Sequence, residues 1–205
     1  MIWLASYPRS GNTCLRVLLN AGFGTSVSSK YDEDYAAFPE EFGRILGRSS
    51  PNVLKIVKSH GVEDDQMPAI YLVRDGRASI ISYYHYFLRF EQDRSVGSII
   101  RGETPFGSWS AHYRGWDPYH RKNTLFLKFE DIISDPDGTI DRLADFTGLR
   151  RTGAFHGDFS TLHSISPDFF RSGSNERNGS ELNDEQLELF RTLHGELMAE
   201  LGYDA

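Results

Sequence analysis

The sequence predicts an α/β fold: a three-layer sandwich with a central parallel sheet flanked by helices. Short apolar or β-branched runs at 2–5, 53–58, 69–73 and 124–129 alternate with segments of helical periodicity, the pattern of strands joined by helices. The connections are long enough for crossovers, so the strands should lie parallel. A third observation bears on function. Arg9, His60, Arg74 and the pair Phe129-Glu130 each fall just after a predicted strand, and in an open parallel sheet those positions share the edge where ligands bind.

The first strand runs into Ser6-Tyr7-Pro8-Arg9-Ser10-Gly11-Asn12-Thr13, a turn of Pro, Ser and Gly. A helix over 13–22 follows, with Leu15, Val17, Leu18 and Leu19 on its apolar faces and Gly22 at its end. Residues 23–34 are Gly/Ser-rich, then acidic, and read as a loop. Tyr35, Phe38, Phe42, Ile45 and Leu46 recur at helical spacing and predict an amphipathic helix over 35–47. The second strand, 53–58, leads into Ser59-His60-Gly61. The third, 69–73, has the unbroken apolar character of a buried strand and ends at Arg74-Asp75-Gly76-Arg77. A helix over 77–90 carries Ile80, Ile81, Tyr84, Phe87 and Leu88.

Residues 89–108 mix Arg89, Arg94 and Arg101 with Gly97, Gly102, Pro105 and Gly107. They read as a lid or an acceptor loop, with a plain surface connection as the alternative. Helical spacing resumes over 108–121 through Trp109, Tyr113 and Trp116. The fourth strand ends at Phe129, and a helix over 137–147 stops at Gly148. Residues 150–182 are loop-rich. The last helix, 184–201, is capped by Asn183 or Asp184. The chain reads as one domain, 1–205, large enough to bury a core.

Composition narrows the function classes. The net charge of −7 argues against general nucleic-acid affinity, which needs a basic face, but a local basic pocket focuses its own field. No run reaches the length of a membrane span, and no signal peptide is read before the first strand. Cys14 is the only cysteine, so there is no internal disulfide and no cysteine-based zinc site. The histidines show no ligand spacing, and no metal is expected. A cytoplasmic location is the expectation.

The turn from Ser6 to Thr13 has the length of a Walker A loop, with Gly11 and Thr13 in place, but Ser6 replaces the first glycine and Asn12 the lysine. An ordinary ATP or GTP site is therefore disfavoured. A P-loop-like site for a different anion, with the Arg9 guanidinium inside the loop, is favoured. The alternative is a strand-turn-helix with an incidental arginine.

These residues resemble the cytosolic-type sulfotransferases. Tyr7-Pro8-Arg9-Ser10-Gly11-Asn12-Thr13 resembles their 5′-phosphosulfate loop. Val73-Arg74-Asp75-Gly76-Arg77 through Ser82 to Phe87 resembles their 3′-phosphate motif. Lys58-Ser59-His60 is similar to the segment bearing their catalytic histidine. Gly107-Ser108-Trp109, with His112 and Trp116, resembles a helix of the family, and Phe129-Glu130-Asp131 matches a segment after a core strand. Phe170-Arg171-Ser172-Gly173 looks like a degraded C-terminal Arg-Lys-Gly motif. The matches keep family order from residue 3 to about 175.

The resemblance implies a P-loop-type α/β fold and the donor 3′-phosphoadenosine 5′-phosphosulfate (PAPS). It also implies sulfuryl transfer to a hydroxyl or amine of a small-molecule or carbohydrate acceptor. Arg9, Ser10, Gly11, Asn12, Thr13 and Cys14 would line the 5′ site. Arg74 and Ser82 would hold the 3′-phosphate, joined by Arg171, Ser172 and Gly173. Phe129 and Phe159 would stack on adenine, since Cys14 stands where the family often has Trp. His60 would be the general base, with Arg9 and Lys58 as cations and His85 and His112 as competing bases. Two alternatives remain at this stage. A P-loop nucleotide kinase would need a loop lysine and Mg²⁺; a non-catalytic nucleotide-binding relative would fit the changes at Cys14 and Ser172.

Overall fold

The computed structural model describes residues 1–31, 54–90, 92–155 and 181–204. Five strands form one sheet: β1 (Ile2–Ser6), β2 (Val27–Ser29), β3 (Ile56–Ser59), β4 (Ala69–Val73) and β5 (Thr124–Lys128). Their order is β2-β3-β1-β4-β5, and every neighbouring pair is parallel. The register pairs Ala5 with Ser59, Ser6 with Leu72 and Val73 with Lys128. All strands therefore end at the same edge.

Seven helices complete the described fold: α1 (Asn12–Phe23), α2 (Gly76–Arg89), α3 (Val96–Arg101), α4 (Trp109–Trp116), α5 (Phe129–Ser134), α6 (Pro136–Thr147) and α7 (Asp184–Glu200). Alternation along the central strands sorts the core into two layers. Ile2, Leu4, Ile56, Ile70, Leu72 and Leu127 face α1 and α6, where Leu15, Leu18, Leu19, Ile140 and Leu143 meet them. Trp3, Ala5, Val57, Tyr71 and Val73 face the other way, onto Ile80, Ile99, Trp109, Trp116, Phe190 and Leu197. Leu4, Leu15 and Ile70 have no exposed surface, and burying each such side chain contributes about 1.5–3 kcal/mol.

The three-layer α/β class is as expected, with three local differences. The span 23–34, expected as a loop, contains β2. It is short, pairs only with β3, and offers one apolar residue, so no run marks it. The segment after β5 is the unforeseen helix α5. Within 89–108 lies α3, whose Ile99 and Ile100 are fully buried, with Arg94 donating to the Glu103 carbonyl at 2.8 Å and Arg101 to the Glu103 carboxylate at 2.7 Å. The expected helix over 35–47 lies outside the described residues. Helix caps follow the local chemistry: Asp75 caps α2, Ser95 α3, Ser108 α4 and Asp135 α6, and Asn183 with Gln186 forms a capping box on α7. Among the described residues no helix is long and apolar enough to cross a membrane.

Candidate active site

The turn from β1 to α1 is tight. Arg9 has φ 66° and Gly11 φ 97°, both left-handed. For a residue with a side chain this costs about 1–2 kcal/mol, and such strain persists where the surroundings over-determine it. Here α2 does so: Arg9 Nε donates to Ser82 Oγ at 3.1 Å, and its guanidinium lies 5.7 Å from the Tyr86 ring centroid. The hydroxyls of Ser10 and Ser79 meet at 3.3 Å, a second tie from the loop to α2.

Gly11 is the N-cap of α1, and among the described residues no side chain caps that helix. Its first backbone N–H groups stay available at the positive end of the helix dipole. Asn12, at the Walker lysine position, turns back to β1. Its amide donates to the Leu4 carbonyl at 3.4 Å and to Ser6 Oγ at 3.3 Å. The Cys14 side chain is 3% exposed among the α1 core residues, and burial pushes its thiol up to about 12. Its side chain is a packing group; only its backbone belongs to the loop.

Arg74 follows β4 at the same edge. Its guanidinium lies 4.6 Å from the Phe129 ring centroid, and its Nε is buried without a hydrogen-bond partner among the described residues. Asp75, the carboxylate one might pair with Arg74, is taken by Arg77 in a two-point contact of 3.1 and 2.7 Å. Burial lowers the Arg74 pKa, an effect partly offset by Glu130 and Asp75; arginine nonetheless stays charged in a protein. Phe129 lies beside this guanidinium. It is 5% exposed, covered by Arg74 on one side and by Gly11 on another, where an added Cβ would fall 2.2 Å from Cδ2. Its ring packs between the Arg74 guanidinium and the backbone at Gly11.

His60 lies just past β3, on the segment that pairs beside β1. Its Nδ1 is 2.7 Å from the Ser6 carbonyl. A carbonyl only accepts, so Nδ1 carries the proton and Nε2 keeps its lone pair. Burial, then the nearby Lys58 charge, hold the imidazole well below its ordinary pKa, so it is neutral at neutral pH. The His60 N–H donates to Tyr31 Oη at 2.8 Å, and its carbonyl accepts from His112 Nε2 at 3.0 Å. Tyr31 stacks on the imidazole at 5.7 Å, and Phe106 meets it edge-on at 5.5 Å. Lys58 is 8% exposed, with Nζ 5.7 Å from the Tyr31 ring centroid.

The competing histidines are engaged elsewhere. With Nε2–H committed to His60, His112 Nδ1 accepts from the Tyr71 hydroxyl at 2.9 Å, and burial lowers its pKa to about 4. His85 Nε2 is 2.7 Å from Glu181. The loop after His60 is held from below: Trp116 Nε1 donates to the Gly61 carbonyl at 3.0 Å, and Arg121 donates to the Glu63, Asp65 and Met67 carbonyls. Tyr31 was not foreseen, since nothing local ties it to His60. Phe159, Arg171, Ser172 and Gly173 lie outside the described residues. Among the described residues no group of His, Cys, Asp and Glu is arranged to hold a metal.

One sheet edge thus gathers Arg9, Arg74, a helix N-terminus without a side-chain cap and a neutral imidazole. This defines an α/β protein suited to an anionic ligand beside a proton acceptor. The chain belongs to the sulfotransferase family: the model described as "Sulfotransferase domain" matches residues 1–202. Cytosolic sulfotransferase 3 of Arabidopsis thaliana is 27% identical over 168 residues, 72% of this chain and 52% of that protein. Sulfotransferase 2A1 of Mus musculus is 38% identical over 88 residues, 39% of this chain and 31% of that protein. The chain spans about half the length of the Arabidopsis relative, and the match to the mouse protein is shorter.

Solved structures share the fold. Mouse sulfotransferase SULT7A1 complexed with PAP has a TM-score of 0.71 at 19% identity, covering 98% of this chain and 88% of that one. Retinol dehydratase in complex with androsterone and inactive cofactor PAP has a TM-score of 0.71 at 18% identity, covering 100% of this chain and 81% of that one.

Proposed function

We propose that this protein transfers a sulfuryl group from PAPS to a hydroxyl, or an amine, of a small-molecule or carbohydrate acceptor, with His60 as general base. The observation that carries the reading is the hydrogen-bonding of His60. A neutral imidazole whose Nδ1–H is committed to the Ser6 carbonyl has Nε2 as its only basic atom, at the edge shared with Arg9 and Arg74. The orphaned Arg74 Nε tests the fit of the donor, because a phosphate oxygen would satisfy it and would pair with a fork-shaped cation. When bound, the donor supplies the sulfuryl group and a nucleotide leaving group.

The chain's own residues divide the work. The α1 N–H groups, Ser10, Gly11, Asn12, the Thr13 hydroxyl and the Cys14 backbone form the cradle for the 5′ end. Arg9, held by Ser82, is a fixed cation where negative charge grows; such stabilisation is often a large term in catalysis. Lys58 adds a second positive charge and keeps His60 neutral. Arg74 and Ser82 lie on the 3′-phosphate side, where Arg171, Ser172 and Gly173 would join them, with Phe159 against the base. Tyr31 and Phe106, their rings edge to face at 5.7 Å, form an aromatic corner beside His60 for the acceptor. That two structural neighbours hold PAP, one of them with androsterone, supports this donor and an acceptor of modest size.

The test is a pair of measurements. In a screen of acceptors with labelled donor, H60A should lose turnover by about 100- to 10,000-fold, the usual worth of a general base. Calorimetry should show PAP binding retained. Unchanged turnover in H60A would remove the base assignment. Nucleotide binding that requires Mg²⁺ would favour a kinase, and tight PAP binding with no turnover on any acceptor would favour a non-catalytic relative.

A further inference from the structure

We infer that Glu130 and Tyr203 are positioning residues for Arg74, so that the segment after α7 sets how tightly the far phosphate of the nucleotide is gripped. This rests on the reading above that Arg74 faces the 3′-phosphate.

Two dipeptides are locked together at the sheet edge. Phe129 puts its ring 4.6 Å from the Arg74 guanidinium, and the next residue, Glu130, accepts from the backbone N–H of the next residue, Asp75, through Oε1 at 3.2 Å. Both halves of the Arg74-Asp75 turn therefore depend on where α5 begins. The second oxygen of Glu130 is not left to solvent. Tyr203 donates its hydroxyl to Oε2 at 2.8 Å, and burial followed by the Glu130 charge raises the tyrosine pKa, so the proton stays on the phenol.

Tyr203 is itself held in place. Its backbone N–H donates to the Met198 carbonyl at 2.9 Å after a left-handed Gly202 at φ 70°. Lys128 stands 5.0 Å from its ring centroid and donates to the Leu201 carbonyl. Lys128 belongs to β5 and directly precedes Phe129. The last turn of α7, the end of β5, the start of α5 and the Arg74 turn thus form one closed circuit. Glu130 and Tyr203 reach Arg74 only through backbone and charge, so they position it and do not touch ligand.

The readout is discrimination between PAP and 5′-AMP, which differ by the 3′-phosphate. Calorimetry with both nucleotides is run on the wild-type protein and its Y203F, E130A and E130Q variants. Y203F removes one oxygen and keeps the ring beside Lys128. It should weaken PAP by roughly tenfold, the size of one hydrogen bond to a charged group, and leave 5′-AMP unchanged. E130A should lose more of the discrimination. E130Q, which retains an acceptor for the Asp75 N–H, should recover most of it.

Removing a negative charge beside Arg74 would by itself strengthen anion binding. Weaker PAP binding in E130A therefore runs against simple electrostatics and supports positioning. Unchanged discrimination in Y203F overturns the inference, as does E130Q behaving like E130A; if E130A does not fold, Y203F decides alone. Wild-type protein that binds PAP and 5′-AMP equally would instead overturn the assignment of Arg74 to the 3′-phosphate.

Discussion

Replacing Gly11 with alanine tests the geometry of the turn between β1 and α1 most directly. Gly11 sits at φ 97°, where a side chain costs about 1–2 kcal/mol. The added Cβ would also lie 2.2 Å from Phe129 Cδ2 and 2.8 Å from Cε2, so the ring would have to retreat by more than about 1 Å to reach ordinary contact. Phe129 has no room for that, being 5% exposed and covered by the Arg74 guanidinium. Overpacking of this kind costs about 1–3 kcal/mol. The two effects together predict a loss of about 2–5 kcal/mol, or roughly 4–20 °C in Tm for a chain of this size. Urea denaturation measures it, with an unchanged m-value as the check that the unfolded state is the same.

The structure makes a second demand on this variant. In G11A the smaller side chain of F129L should remove the clash and leave mainly the backbone cost, so the two substitutions should couple by at least about 1 kcal/mol. G11A within about 0.5 kcal/mol of wild type, the ordinary range of a surface change, would refute the reasoning, and so would strictly additive behaviour.

Three other outcomes follow from the described contacts. Cys14, 3% exposed and with its thiol raised to about 12, should resist an aromatic disulfide reagent in the native protein and react as one thiol per chain in denaturant; fast native reaction would mean the α1 core opens readily. His112 has a folded pKa of about 4 against 6.5, so the unfolded state binds more protons between those values and stability falls as pH drops through that window, by about 3 kcal/mol for this residue. His60 acts in the same direction, and the difference between wild type and H112Q should be flat above pH 6.5. R121M should leave the Glu63, Asp65 and Met67 carbonyls without their donor; a loss of about 2–4 kcal/mol and faster hydrogen exchange across 61–68 are expected, and unaltered exchange there would show that Trp116 suffices.

Much of the active edge was legible because its residues follow strands. Arg9, His60, Arg74 and Phe129 each come after a short apolar run, and parallel pairing brings the ends of such runs together. Their partners were less legible. Nothing in the order Arg74-Asp75-Gly76-Arg77 says which arginine takes the carboxylate. Chain geometry at the start of α2 gives it to Arg77, which leaves Arg74 on the ring of Phe129. Phe129 reads only as an aromatic following a strand; its burial against Gly11 and Arg74 exists only in the packed fold.

What the sequence by itself determined was therefore the α/β class, the parallel sheet and the sheet edge that gathers Arg9, His60 and Arg74. These depend on the period of apolar residues and on glycine and proline punctuation, which are local properties. The tertiary structure decided which nitrogen of His60 holds the proton, that Cys14 is sealed in the core, that Val27–Ser29 adds an edge strand, and that Tyr203 reaches Glu130. Each of these is a contact between residues far apart in the chain. Its energy depends on distance, burial and hydrogen-bond geometry, which exist only once the layers have packed.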